Sequence, residues 1–224
     1  MMTHAMLTGK TREHLAPLSE AHNLQPAAIN AFTRLQQAAA RDGFDLQPAS
    51  TFRDFARQRQ IWNQKFNGER PLLDKDSQPL VAATLSVAER CTAILRWSAL
   101  PGASRHHWGT ELDIYDPSRL PQGTRLQLEP WEYQAGGYFS ALSDWLSAHM
   151  AQFDFYRPFA HDRGGVAIEP WHISYAPLAK PAAQLLTPDV ILAAWQHEDI
   201  AGDAWLRSHL PDIFSRFITN IDED

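Results

Sequence analysis

The order of hydrophobic patterns along the chain limits its fold most. Apolar residues recur at helical spacing over 26–43 and 86–100, and helical signals dominate again after residue 181. Short segments with alternating character lie between these regions, over 44–52 and 111–115. The sequence therefore predicts an α+β fold, in which a small antiparallel sheet is flanked by helices and followed by a helical C-terminal extension.

Three parts are expected along the chain. Residues 1–23 are polar and irregular and predict an N-terminal arm. The main domain is predicted over 24–180 and a helical extension over 181–224, where Thr187 and Pro188 form a good helix start. The extension could pack on the core, cover a cleft or join two copies, and the sequence leaves these roles and the oligomeric state open.

Charge and cysteine content exclude several classes of protein. The chain has 20 Lys+Arg against 26 Asp+Glu, with a net charge of −6, so a broad nucleic-acid-binding face is not expected. Cys91 is the single cysteine, which excludes an internal disulfide and a cysteine-rich zinc cluster. Any zinc ion would need histidine and carboxylate ligands, and the chain has 10 histidines.

The sequence shows no targeting or membrane-spanning pattern. No window approaches about 18 consecutive apolar residues, the length that suggests a transmembrane helix. The first ten residues lack the apolar core of a secretory signal. The expected location is the cytoplasm for the sequence as written, or the periplasm if an export signal has been removed.

Two polar, aromatic segments carry the candidate chemistry. Residues 104–113 read Ser-Arg-His-His-Trp-Gly-Thr-Glu-Leu-Asp, and residues 169–172 read Glu-Pro-Trp-His. His106, Asp113 and His172 would supply two imidazoles and one carboxylate. A catalytic zinc ion takes three such protein ligands and keeps a fourth position for water. The spacing of the first two residues alone fits ordinary surface or core positions equally well; the Glu-Pro-Trp-His segment and the serine at 104 favour a metal site.

The residues around these ligands suggest how the site would work. Pro170 prevents a helix from continuing through its segment, so Glu169 could stand near the metal in an extended or turned segment without binding it. A carboxylate there can accept a proton from water and pass it to a leaving amine. Gly109 would allow a close bend between the first two ligands. Trp108 and Trp171 would form walls of the site.

Ser-x-His-x-x-Gly-x-x-x-Asp followed by Glu-Pro-Trp-His resembles the VanY-type D,D-carboxypeptidases. These belong to a group of zinc peptidases with the VanX dipeptidases, phage L-alanyl-D-glutamate endopeptidases and hedgehog-like domains. The resemblance covers about residues 26–180 and implies that the domain over 24–180 is a zinc peptidase. It implies one zinc ion with His106, Asp113 and His172 as ligands and Glu169 as the catalytic base.

A weaker resemblance lies upstream. Phe52-Arg53-Asp54, with Gln58 five residues after the arginine, resembles the Tyr-Arg-Ser…Gln segment of that group. The resemblance implies that Arg53 stabilises the substrate carbonyl or anchors a carboxylate; Arg157 and Arg163 are rivals for that role, and Arg53 could also be an ordinary solvated side chain. The residues predicted to contact substrate are Ser104, which could instead cap a turn, and Gln58, Trp171 and Trp108.

The sequence departs from the family pattern beside the ligands. Glu111 stands where the family has alanine. We expect Glu111 to face solvent, although strand alternation places it on the same face as Asp113. His107 follows the proposed ligand His106, and alternation points it away, to a supporting or surface position.

The predicted function is zinc-dependent cleavage of peptidoglycan peptides that contain D-amino acids, with the terminal D-Ala-D-Ala bond as the leading substrate. An L,D-carboxypeptidase and an endolysin-like endopeptidase are alternatives within the same class. A non-catalytic peptidoglycan-binding module is the alternative from another class, although such a module would not need Glu169. A structural zinc site is disfavoured because it usually has four protein ligands.

Overall fold

A computed structural model of the protein describes residues 1–223. Residue 224, the last of the predicted extension, lies outside the described residues. The helices are α1 (His4–Leu7), α2 (Pro26–Arg41), α3 (Phe55–Phe66), α4 (Val87–Trp97), α5 (Pro130–Tyr133), α6 (Ser140–His149), α7 (Ala176–Leu185), α8 (Pro188–Ala194) and α9 (Asp203–Ile213). The strands are β1 (Ala16–Pro17), β2 (Asn23–Leu24), β3 (Gln47–Ser50), β4 (Leu72–Leu73), β5 (Pro79–Leu80), β6 (Glu111–Tyr115), β7 (Phe155–Tyr156) and β8 (His172–Tyr175).

The main sheet has four strands in the order β3-β6-β8-β7, and every neighbouring pair is antiparallel. Two further pairs, β1-β2 and β4-β5, form separate small ladders. A small antiparallel sheet flanked by helices confirms the predicted α+β fold. In the centre of the sheet Asp113 on β6 lies directly opposite His172 on β8, and Glu111 lies opposite Ser174.

The two faces of this sheet differ in chemistry, because successive side chains point to opposite sides of a strand. Leu112, Ile114 and Ile173 are fully buried in one hydrophobic cluster with residues of α2 and α6, such as Phe32 and Leu146. The opposite face carries polar side chains at the alternate positions. These are Glu111, Asp113, His172 and Ser174, and all four are buried.

A second hydrophobic cluster joins the remaining helices. It contains residues of α3 and α4 together with residues of α7, α8 and α9. The Trp195 indole donates to the carbonyl of Pro101 at 2.7 Å, and the Trp62 indole donates to the carbonyl of Ala201 at 2.9 Å. The described part of the C-terminal segment therefore packs on the core, and α7 runs across residue 180 without a break.

The first 23 residues also lie against the core. Leu7 of α1 is fully buried in the second cluster. The carbonyl of Gly9 accepts a hydrogen bond from the backbone of Phe55 at the start of α3, at 2.9 Å. Within residues 1–223, no helix has both the length and the apolar character that a bilayer crossing requires.

Candidate metal centre

A tight turn before β6 presents His106. The 3₁₀ turn Arg105–Trp108 ends at Gly109, which has a left-handed backbone with φ of +68°. A Cβ atom at this position would lie only 2.3 Å from Cδ2 of Leu15, so glycine is needed for both conformation and space. The chain then enters β6, which brings Asp113 to the same side as His106.

The N-terminal segment holds this turn in place. Gln25 donates from its side chain to the carbonyl of Trp108 and from its backbone to the carbonyl of Gly109, both at 2.8 Å. His14 Nε2 lies 3.2 Å from the carbonyl oxygen of His107. Residues before α2 thus contact the turn that presents the first proposed ligand.

The structure brings His106, Asp113 and His172 together, and all three are buried. His106 Nε2 lies 3.4 Å from Asp113 Oδ2, and His172 Nδ1 lies 3.6 Å from Asp113 Oδ1. One ligand atom from each residue lies within 4.8 Å of the others. Asp113 Oδ1 is buried and has no hydrogen-bond partner among the described residues, as expected for an atom aimed at an ion.

These donors fit a zinc ion. Ligand atoms placed tetrahedrally at about 2.0–2.1 Å from zinc lie about 3.4 Å from each other, and His106 Nε2 lies 3.4 Å from Asp113 Oδ2. The ring nitrogens that face away from the group are also engaged. His106 Nδ1 lies 2.7 Å from the carbonyl oxygen of Thr51, and His172 Nε2 lies 2.7 Å from Glu111 Oε2. Such outer acceptors leave the inner nitrogens free to bind metal.

Glu169 lies beside the three residues because of a tight turn. The backbone of His172 donates to the carbonyl of Glu169 at 3.1 Å, with Pro170 at the second turn position, which proline favours. Glu169 Oε2 lies 3.2 Å from His172 Nδ1. Arg157 donates to the carbonyl of Pro170 at 2.8 Å and so supports the turn from outside.

The expectation that Glu111 faces solvent is wrong. Its carboxylate is completely buried and accepts hydrogen bonds from His172, Ser174 and Thr110, the last two at 2.7 and 2.8 Å. The Arg105 guanidinium donates to both of its oxygens at 3.2 and 3.3 Å. Strand alternation was the correct signal, because Glu111 shares its face with Asp113 and Arg105 neutralises it there.

Electrostatics keep the Glu111 carboxylate ionised. Burial alone would raise the pKa of Glu111, but the charge of Arg105 and the hydrogen bond from His172 hold that pKa well below its usual range. Burial lowers the pKa of His172, whereas its hydrogen bonds to Glu111 and Glu169 and the nearby carboxylate charges raise it to about 10. Glu111 therefore remains an anionic acceptor that orients the His172 ring.

Arg53 lies in the cleft next to these groups. Its guanidinium donates to Gln58 Oε1 at 2.9 Å and to Ser50 Oγ at 3.4 Å. His107 Nδ1 lies 2.6 Å from the carbonyl oxygen of Arg53, and the backbone of Gly102 donates to His107 Nε2. His107 is thus a buried support for the backbone of Arg53, in agreement with the supporting alternative and against the surface one.

Gln58 does not reach the cleft as a substrate contact. Its side chain is fully buried, and its amide nitrogen donates to the carbonyl of Ala99 at 2.7 Å. Both ends of the amide are therefore occupied by the protein, and Gln58 positions Arg53. The expected contact between Gln58 and substrate is corrected accordingly.

The tryptophans flanking the ligands have different places. Trp171 lines the cleft and packs against Tyr133, with ring centroids 5.7 Å apart. Trp108 belongs to the hydrophobic core and does not line the cleft, contrary to the prediction. The Arg105 guanidinium lies 4.7 Å above its ring, so Trp108 supports the partner of Glu111 instead.

Of the other residues that the sequence offered for substrate binding, one lines the cleft and two do not. Ser104 lines the cleft, and its side chain makes no capping hydrogen bond to the turn that follows. Arg157 is buried behind the Glu169 turn and bonds to Ser147, while Arg163 is exposed and bonds to Asn220. Neither arginine lines the cleft.

The cleft is a cavity of about 390 Å³. Its walls come from α3, from the turn before β6, from the Glu169 turn and from the C-terminal segment. The charged side chains that line it are Arg53, Lys65, Arg70, Arg105, His106, Asp113, Glu129, Glu169 and His172. A buried triad of zinc-type ligands with an adjacent carboxylate and a half-buried arginine can bind, polarise and hydrolyse an amide bond.

A candidate metal site with an adjacent carboxylate, carried by a small antiparallel sheet, is the arrangement of a peptidase. The sequence model of the VanY D-alanyl-D-alanine carboxypeptidase family matches residues 21–178. The chain belongs to this family.

Two uncharacterized proteins of Haemophilus influenzae are similar in sequence. One is 52% identical over 121 residues, which is 53% of this chain and 92% of that protein. The other is 53% identical over 103 residues, or 44% of this chain and 70% of its own length.

Solved structures with the same fold include two VanY structures and an LD-carboxypeptidase. VanYB in complex with D-alanine-D-alanine has a TM-score of 0.54 at 21% identity, covering 87% of this chain and 88% of that chain. A mutant of the vancomycin resistance D,D-pentapeptidase VanY in complex with Zn(II) gives 0.52 at 21% identity, with 88% and 92% coverage. The LdcB LD-carboxypeptidase gives 0.52 at 18% identity, with 87% and 77% coverage.

Proposed function

We propose that the protein is a zinc-dependent carboxypeptidase that removes the terminal D-alanine from peptidoglycan peptides ending in D-Ala-D-Ala. The observation that carries the proposal is the convergence of His106, Asp113 and His172 in a cleft that also contains Glu169 and Arg53. Membership of the D-alanyl-D-alanine carboxypeptidase family supports the substrate class. The VanY structures containing Zn(II) and D-alanine-D-alanine support the choice of metal and ligand.

The three ligands would hold one zinc ion, and zinc supplies polarisation of the scissile carbonyl and acidification of a water molecule. His106 and His172 present their inner nitrogens because Thr51 and Glu111 engage the outer ones. Asp113 adds one negative charge, which leaves the ion cationic.

Glu169 would move the protons. Its carboxylate lies within 3.2 Å of His172 Nδ1 and borders the cleft, so it can reach a water molecule held beside the ligands. It would accept a proton from that water during attack and donate it to the departing amine of D-alanine. The turn that Arg157 supports holds the carboxylate at this position.

Arg53 would bind the charge on the substrate. Hydrogen bonds to Gln58 and Ser50 hold its guanidinium, which has no carboxylate partner within 4 Å among the described residues. A guanidinium held in this way can donate to the terminal carboxylate or to the developing oxyanion. Ser104 lies on the same cleft wall and offers a hydroxyl to the same end of the substrate.

The test is product analysis by mass spectrometry on a panel of muropeptides. A pentapeptide ending in D-Ala-D-Ala, the matching tetrapeptide and the matching tripeptide would each be incubated with the metal-free protein, with and without added zinc. The proposal expects loss of one alanine from the pentapeptide only when zinc is present. Loss of alanine from the tetrapeptide would indicate an L,D-carboxypeptidase, and cleavage within the stem would indicate an endopeptidase.

A pentapeptide with an amidated C-terminus separates the role of Arg53. If Arg53 anchors the terminal carboxylate, the R53Q variant should lose activity on the free acid and change little on the amide. Binding of the pentapeptide without any cleavage, in the presence of stoichiometric zinc, would support the non-catalytic binding module and overturn the proposal.

A further inference from the structure

Two cations in the cleft have no role in the chemistry above. Lys65 lies in the last turn of α3, and Arg70 lies in the loop that follows. Both line the same cavity as Glu169 and Arg53, and both are half-buried. Partial burial of a cation without an acidic partner costs free energy, because the charge loses hydration. An anionic ligand in the cleft would offset that cost.

The protein leaves donors on both residues unused. Lys65 Nζ donates to Ser98 Oγ at 2.7 Å, a neutral partner. Arg70 donates from Nε to Gln64 Oε1 at 2.7 Å, and its two Nη groups donate to no protein acceptor among the described residues. Glu129, the acid in the cleft wall outside the metal centre, accepts from Ser77 instead and forms no ion pair with either cation.

Helix α3 sets the position of Lys65 relative to Arg53, and Arg70 follows in the next loop. Gln58 holds Arg53, and Ile61 and Lys65 follow it on α3 at helical spacing. Ile61 and Lys65 both line the cleft. Seven residues separate Gln58 from Lys65, which is about 10 Å along the helix. An extended peptide advances about 3.3 Å per residue, so the same distance corresponds to about three substrate residues.

We propose that Lys65 and Arg70 form a second carboxylate subsite, which selects peptides carrying an acidic side chain about three residues before the C-terminal residue that is released. This inference rests on the proposed function, because it places the substrate's C-terminal end at Arg53. The Arg70 guanidinium supplies paired donors that match a carboxylate, and the Lys65 ammonium adds a point charge.

The experiment compares two peptides that differ in one charge. Acetyl-Glu-Ala-D-Ala-D-Ala and acetyl-Gln-Ala-D-Ala-D-Ala have the same shape at the acidic position. We expect the zinc-loaded protein to show a KM about tenfold lower for the glutamate peptide with similar kcat, since hydrogen bonds to charged groups are the stronger kind. K65M and R70Q should each reduce this preference, and the double variant should abolish it.

R57Q is the matched control. Arg57 lies on the same helix but is exposed, so its replacement removes the same charge outside the cleft. R57Q should keep the preference for the glutamate peptide. A preference that persists in the K65M/R70Q double variant, or an equal KM for the two peptides in the unaltered protein, overturns the subsite.

Calorimetric binding to the zinc-loaded E169Q variant keeps this test independent of turnover. If the unaltered protein cleaves neither peptide, the proposed function fails, yet tighter binding of the glutamate peptide that disappears in K65M/R70Q still supports the subsite. Equal binding of the two peptides, or binding of neither, overturns it.

Discussion

The two faces of strands β6 and β8 share one backbone but carry different side chains: one face is apolar and the other is polar. On one face Leu112, Ile114 and Ile173 pack into a hydrophobic cluster and exclude water. On the other face Glu111, Asp113 and His172 are also buried, yet each is ionisable. Burying charge is costly unless every group is paired, and on this face Asp113 Oδ1 has no hydrogen-bond partner among the described residues.

The contrast between the two faces indicates where substitutions should act. Substitutions on the apolar face should alter the free energy of unfolding and leave the chemistry of the folded molecule intact. Substitutions on the polar face should alter metal affinity or turnover more than they alter packing.

E169Q should have the largest effect on turnover. The amide keeps the size of the side chain but cannot accept a proton from water, and general acid–base catalysis contributes about 10²–10⁴-fold to rate. We expect kcat to fall by that factor while zinc content, measured by atomic emission, stays at the level of the unaltered protein. Activity close to normal in E169Q would remove Glu169 from the role of base.

E111Q should weaken metal binding. Outer partners of metal-ligating histidines typically contribute about 10–100-fold to affinity, and the amide removes the charge that orients His172 and balances Arg105. Zinc affinity is measured by competition with a chromogenic chelator, and the absorption spectrum of the cobalt-substituted protein reports ligand geometry independently.

E198Q is the control for this variant. Glu198 pairs with Lys10 and Arg59 at the surface, where ion pairs contribute little. Zinc affinity should be unchanged in E198Q. If E111Q and E198Q bind zinc equally well, the hydrogen bond between Glu111 and His172 has no part in holding the metal.

I173V should act on stability alone. Ile173 is fully buried on the apolar face, and removal of one buried methylene typically costs about 1 kcal/mol. Denaturant unfolding should show this loss, while zinc affinity and kcat of the folded protein remain unchanged. V81A is the control, since Val81 is 65% exposed and its truncation removes little packing. A change in zinc affinity in I173V would show that the two faces are coupled.

The smallest expected effect is at Cys91, which should not react with an alkylating agent in the folded protein. Burial among apolar residues of α4 raises the pKa of its thiol to about 12, so the thiolate that reacts with alkylating agents is scarce at neutral pH. Iodoacetamide should not modify the folded protein at neutral pH and should modify it after unfolding, as judged by intact mass. Because the thiolate population rises with pH towards 12, labelling should increase only in alkaline solution.

Local patterns were enough to predict much of the fold. Helix α2 begins at Pro26 and ends at Arg41, just before Gly43, and β6 covers Glu111–Tyr115, both close to the prediction. The capping box at Ser86 and Glu89 likewise starts α4. In each case the signal lies within the element itself, so the sequence contains the information in one short window.

The environment of Glu111 depends in part on residues distant in the chain, such as His172 and Ser174. Alternation placed it on the face of Asp113, but only the tertiary structure shows that Arg105, Tyr156 and Ser174 close over that face. Trp108 is similar, because its indole packs beneath Arg105 on the side away from the cleft. The contacts of Arg105 with Tyr156 and Ser174 join residues 51 and 69 positions apart, and spacing within one segment does not encode them.

The contacts made by the first residues bear on how this family domain should be delimited. The matched region starts at residue 21, yet Leu15 abuts Gly109, His14 lies against His107, and a side chain at Gly9 would collide with the His107 ring. A fragment trimmed to residues 21–178 would retain every proposed zinc ligand. It would lose the contacts of the preceding residues with the turn that carries His106. Truncations or fusions at the N-terminus should therefore keep these first residues, because they support the turn that carries His106.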